Sequence, residues 1–135
     1  MFIFATKYIR IMALEELKHT SELIVSEEMT ASAMGSGDME VLATPAMVAL
    51  MENAAMLAVA PSLDDGCTTV GGYIEVSHLR PSKRGDKIKA TASVTKIDGK
   101  KIEFKIQAFG NGELIGEGHH YRFIVERKKF LERLK

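Results

Sequence analysis

Glu52 interrupts an otherwise apolar run, VLATPAMVALMENAAMLAVAP at residues 41–61, where its only polar neighbour is Asn53. A carboxylate placed among Ala, Met and Leu loses hydration, so either it carries an energetic cost or its pKa rises toward neutrality. A raised carboxylate pKa suits a general base or nucleophile working near pH 7. His78 lies in EVSHLRP, where an extended segment runs toward a proline turn, and its imidazole exchanges protons in the same pH range. Thr44 opens the apolar run and offers a hydroxyl, although the same hydroxyl ahead of Pro45 is also what a helix N-cap requires. On one helix, Thr44 and Glu52 would lie about 12 Å apart along the axis and about 80° apart around it, too far to touch. A compact site using both must fold them together through His78 or across a two-fold axis.

Other groups invite chemistry less directly. Gly71 and Gly72 allow close approach of a ligand to the backbone, or else a bulge or bend. Arg122, on the last extended segment, can anchor an oxyanion or pair with an acid on a neighbouring strand. RPSKRGD offers Arg80, Lys83 and Arg84 to phosphates, though basic turns are commonly just solvated. His119 and His120 are consecutive on a strand, so they face opposite sides and cannot chelate together; no metal site is expected. The single cysteine, Cys67, has no His partner in its neighbourhood and excludes an internal disulfide, which suits a reducing, cytoplasmic setting. Met47, Met51 and Met56 read as core packing. Neither Walker nor Rossmann glycine spacing occurs.

The elements that must position these groups follow from periodicity. The first strand is expected at SELIVSEEMT, 21–30, followed by a small-residue loop, ASAMGSGD, and then a helix from Pro45 to Ala60 stopped by Pro61. From about Gly66 to Val125 the pattern is extended: TTVGGYIEVSHL, KIKATASVTKI, KIEFKIQAF and ELIGEGHHYRFIVE form four strands, with Asp98-Gly99 and Gly110-Asn111-Gly112 as tight turns. RKKFLERLK closes the chain as a short amphipathic helix. Residues 1–20 are expected to be an N-terminal extension, with Met12 an alternative start, and 21–135 one domain. The apolar helix is shorter than the roughly 20 residues a bilayer asks for and carries Glu52 at its middle. Eighteen Lys plus Arg balance eighteen Asp plus Glu, so no long-range field favours nucleic acid or an anionic membrane. A helix apolar on nearly every face needs more cover than one small sheet gives, which predicts a dimer.

VLATPAMVALMENAA, TTVGGYIEVSHLRPSKRGDKIKATA and LIGEGHHYRFIVERKKFLER together resemble the fluoroacetyl-CoA thioesterase-like branch of the hot-dog acyl-CoA thioesterases, over about residues 20–133. The resemblance implies an α+β hot-dog fold: an antiparallel five-stranded sheet wrapped around a long central helix, two chains joining into one continuous sheet. It implies hydrolysis of an acyl-CoA thioester, with coenzyme A as part of the substrate and no other cofactor. Thr44, Glu52 and His78 match that branch's catalytic positions, and Gly71 and Arg122 match its recurring glycine and arginine. Gly72 and the basic turn of Arg80, Lys83 and Arg84 are further candidates for substrate binding. The loop before the helix lacks the aromatic residues that lid the fluoroacetate-specific site, so short acyl groups without a marked fluorine preference are expected. A non-catalytic acyl-CoA or small-molecule binding dimer is the alternative. A hot-dog hydratase is weaker, because the closely spaced Asp and His of such sites are missing.

Overall fold

A computed structural model of the chain describes residues 4–5, 9–11 and 14–135. Two short strands, β1 (Phe4–Ala5) and β2 (Arg10–Ile11), precede the main sheet. β3 (Lys18–Ile24) leads through a 3-10 turn to α1 (Ala31–Met34) and the long α2 (Thr44–Val59). Then come β4 (Cys67–His78), β5 (Lys87–Asp98), β6 (Lys101–Gly110), β7 (Glu113–Glu126) and α3 (Arg127–Glu132). The main sheet is antiparallel, in the order β3-β5-β6-β7-β4. The two expected hairpin turns are present. Gly99 has φ of 60° between β5 and β6, and Asn111 and Gly112 have φ of 53° and 79° between β6 and β7, the left-handed pair that a tight hairpin needs.

The first strand starts and ends earlier than its composition suggests. It begins at Lys18, so the boundary expected after residue 20 falls inside it, and it stops at Ile24 rather than continuing to residue 30. The strand stops where its partner β5 begins, at the pair Ile24–Lys87, and Thr30 organises the residues that follow. Its hydroxyl donates to the Glu27 carbonyl at 2.7 Å, closing the 3-10 turn, and accepts from the Ala33 N–H at 3.3 Å as the cap of α1. Part of the expected loop is therefore helical. Upstream of β3, Ile9 and Leu17 are buried in the same core, and Ile9 bridges to Leu63. Met12, the alternative start, lies outside the described residues.

One face of α2 is covered by the sheet, chiefly by β3 and β5. Met47, Leu50, Met51, Ala54, Ala55, Ala58 and Val59 are buried there, with Ile88, Ala90, Ala92 and Val94 of β5. Small residues on both elements bring helix and sheet close. The stretch Thr44–Ser62 is long and apolar enough by composition to cross a membrane, yet here it is the core helix of the sheet. The opposite face stays uncovered: Pro45, Ala49, Asn53 and Leu57 are exposed, and Ala46, Val48, Glu52 and Met56 half-buried. This face borders β3, whose Ser21 hydroxyl donates to Asn53 Oδ1 at 2.6 Å, while β4, twelve residues long, forms the other edge of the sheet.

Candidate active site

Thr44 does not cap α2. Ala43 occupies the cap position without a side-chain bond and Thr44 is the first helical residue. Its hydroxyl instead meets His78 Nδ1 at 2.7 Å. The other imidazole nitrogen, Nε2, is buried and has no hydrogen-bond partner. Burial lowers the His78 pKa, and the Arg80 backbone pulls it partly back. The neutral ring is thus favoured, with one nitrogen engaged by a hydroxyl and the other available. The pair lies on a cleft of about 310 Å³, whose walls include Ala31, Ser36, Val41, Arg80 and Pro81.

Glu52 belongs to a second cluster. Its side chain is 42% exposed, because it stands on the border of the uncovered helix face. The burial expected from sequence is therefore not supplied by the chain's own sheet. Arg122, only 7% exposed, places Nη1 3.9 Å from Glu52 Oε2. Three hydrogen bonds hold this guanidinium: Nε donates to Thr69 Oγ1 at 2.7 Å, Nη2 to the Thr69 carbonyl at 3.0 Å, and Nη1 to His120 Nε2 at 3.3 Å. Burial lowers the Arg122 pKa and the Glu52 carboxylate opposes the shift.

Gly71 is the open position in this cluster. A Cβ there would lie 3.2 Å from Glu52 Oε2, 3.6 Å from His120 Cε1 and 3.7 Å from Arg122 Nη1. Gly71→Ala should therefore lower turnover by a few-fold, since the added methyl pushes the Glu52 carboxylate by a few tenths of an ångström and the position of a reacting group sets the rate. The melting temperature should stay within about 2 °C of wild type. Steady-state kinetics and a thermal melt on one preparation check both.

Gly72 does a different job. The register between β4 and β7 shifts between Gly71 and Tyr73, leaving Gly72 as the bulged residue. A Cβ on Gly72 would meet Phe123 at 2.5 Å and Tyr121 at 2.9 Å, on the side of the sheet away from Glu52. It makes room for those rings, which accounts for a glycine here without a substrate contact. The bulge has a larger consequence. Gly71 and His78 are seven residues apart, which on a regular strand puts them on opposite faces. One extra residue restores the parity, so both face α2.

The basic turn divides as well. Arg80 borders the Thr44–His78 cleft and pairs loosely with Glu113 at 3.5 Å. Lys83 is tied to Asp86 at 3.1 Å and Arg84 to Glu40 at 3.4 Å, and neither lines that cleft. Thr69 and His120, which the sequence reading did not place in the site, both belong to the Arg122 cluster. A signal for His120 was present, since it is two residues from Arg122 and must share its face on a strand. Cys67 is half-buried, and burial raises its pKa, away from thiolate chemistry. No group of three or more metal-ligating side chains occurs among the described residues.

A five-stranded antiparallel sheet wrapped over one long helix, with polar side chains gathered at the helix flank and the sheet edge, is the hot-dog architecture. Residues 25–128 match the family model of the fluoroacetyl-CoA-specific thioesterase FlK, and the chain belongs to that family. It is 34% identical over 91 residues to the fluoroacetyl-CoA thioesterase of Streptantibioticus cattleyicolor, covering 67% of this chain and 66% of that enzyme. A crystal structure of an FlK point mutant in complex with fluoroacetate and CoA superposes with a TM-score of 0.81 at 29% identity, over 88% of this chain and 99% of that one. A hypothetical protein of Thermus thermophilus, described as a thioesterase superfamily member, superposes with a TM-score of 0.82 at 28% identity, over 92% and 95% of the two chains.

Proposed function

We propose that the protein hydrolyses short acyl-CoA thioesters to the free acid and coenzyme A, at a site shared between two copies of the chain. The observation that carries this reading is the Thr44–His78 pair: a hydroxyl drawn from helix capping onto an imidazole whose second nitrogen is buried and unpartnered. A hydroxyl and a neutral imidazole at hydrogen-bond distance can pass a proton between them. Glu52 takes the proton from the attacking water, and the Gly71 backbone, open beside it, faces the thioester oxygen. The tetrahedral adduct then collapses with cleavage of the C–S bond. The proton taken from water reaches the departing thiolate, with His78 and Thr44 on its path.

Within one chain Glu52 is engaged by Arg122 and His78 by Thr44, as two separate pairs. A second copy unites them. Antiparallel pairing of β4 with its copy, about a two-fold centred near Ile74 and Glu75, sets Gly71 of one chain opposite His78 of the other. The same pairing satisfies the long exposed edge of β4. Light scattering should show at least a dimer; a stable, active species of about 15 kDa contradicts the shared site. A cytoplasmic setting belongs to the same proposal and suits the free thiol of Cys67.

The test of the activity is release of free thiol from a panel of acyl-CoAs. Acetyl-, propionyl- and fluoroacetyl-CoA should differ in kcat/KM by less than about 1000-fold, because excluding a near-isosteric acyl group requires a shaped and closed pocket. The segment from Ala31 to Glu40 contains no aromatic residue, and its large apolar side chains, Met34 and Met39, are 46% and 66% exposed. A greater preference for the fluorinated ester would mean that another element closes the pocket. CoA ester binding without thiol release from any substrate would leave the binding-dimer alternative.

A further inference from the structure

His120 is a buried imidazole with both ring nitrogens engaged, and the partners dictate its state. Nδ1 lies 2.7 Å from the Tyr73 carbonyl. A carbonyl only accepts, so Nδ1 carries the hydrogen. Nε2 lies 3.3 Å from Arg122 Nη1. A guanidinium only donates, so Nε2 presents its lone pair. The ring also stacks on Phe104, with centroids 5.8 Å apart. The charged groups facing it are the Arg122 guanidinium from β7 and the Glu52 carboxylate from α2; β4 contributes the Tyr73 carbonyl and β6 the Phe104 ring. An imidazolium would turn an N–H toward the guanidinium. Burial, foremost, and the neighbouring Arg122 lower the His120 pKa, against the opposing pull of Tyr73 and Glu52.

We infer that His120 is a positioning residue: its neutral Nδ1–H imidazole, locked by the Tyr73 carbonyl at the β4 bulge, holds the Arg122 guanidinium beside Glu52 over the open backbone of Gly71. This rests on the thioesterase reading of the Glu52 cluster and extends it to the group that sets the arginine. Thr69 fixes the Nε and Nη2 side of the guanidinium, and His120 fixes Nη1, the nitrogen nearest Glu52. Without the histidine acceptor, Nη1 would lose the bond that sets its distance to the carboxylate.

Imidazole nitrogen NMR on the wild-type protein tests the locked tautomer and needs neither a variant nor a substrate. His120 should be neutral and Nδ1-protonated at pH 7; the Nε2–H tautomer or an imidazolium overturns the inference. Kinetics test the consequence. H120N keeps a donor near Nδ1 but removes the Arg122 acceptor, whereas H120Q reaches the Nε2 position with an oxygen. H120N should lower kcat about 10- to 100-fold with a much smaller change in KM, and H120Q should recover to within about 3-fold of wild type. In an R122Q background, H120N should cost little more, because both changes remove one interaction. Equal fold losses in the two backgrounds, or a lowered melting temperature with unchanged kcat, would make His120 merely structural and overturn its positioning role. A wild-type protein that releases thiol from no acyl-CoA sinks the functional reading instead, and the tautomer measurement then still decides how His120 is held.

Discussion

Glu52→Gln should leave a folded protein whose turnover is lower by at least about 100-fold, the scale on which a general base is lost. The substitution keeps the side chain's size and removes only its basicity. It should also fold, because Glu52 is 42% exposed and its ion pair with Arg122 is long, at 3.9 Å. An exposed, loosely paired carboxylate contributes little to stability. Arg122 retains its bonds to Thr69 and His120 in the variant, so no bare cation is left without partners. Circular dichroism and a thermal melt establish the fold, and a thiol-release assay gives the rate. Hydrolysis at the wild-type rate by the folded variant removes Glu52 from the chemistry.

The parts of this molecule that obey a repeating pattern were legible in its sequence. Period-two alternation located β5, β6 and β7, and Pro45 and Pro61 bracketed α2. The apolar run also implied that α2 exceeds what one sheet covers, and its bare face of Pro45, Ala49, Asn53 and Leu57 agrees. What escaped depended on side chains choosing between two local partners. Thr44 has the right type and position for a cap, and only the arrival of β4 in space lets His78 compete for the hydroxyl. Thr30 shaped the turn and short helix after β3 through bonds to Glu27 and Ala33 that no alternation pattern announces. The bulge at Gly72 was open as an alternative to ligand contact, yet its effect on parity, which returns Gly71 and His78 to one face, required the register with β7. Glu52 was the instructive error. Apolar neighbours in sequence suggested burial, but the chain's own sheet leaves that flank of the helix open. Any further burial has to come from a second molecule.

That leads to the sharpest test of the shared site, complementation between two inactive variants. Glu52→Gln and His78→Ala homodimers should each be nearly inactive, because every site in either one lacks an essential group. When the two proteins are mixed under conditions that exchange subunits, about half of the dimers become hybrids. If Glu52 from one chain works with His78 from the other, each hybrid contains one site with both groups intact and one with neither. The mixture should then recover roughly a quarter of wild-type activity, from a sum of separate activities that is close to zero. If Glu52 and His78 instead act within one chain, every site in the hybrid still lacks one of them and mixing restores nothing. His78→Ala should fold well enough for the experiment, since the ring is only half-buried and its bond to the exposed Thr44 hydroxyl is the one that is lost. Mass spectrometry of intact hybrids confirms that exchange has occurred. With hybrids present, persistent inactivity of the mixture rules out the pairing of Gly71 with His78 across the two-fold and returns Glu52 and His78 to one chain.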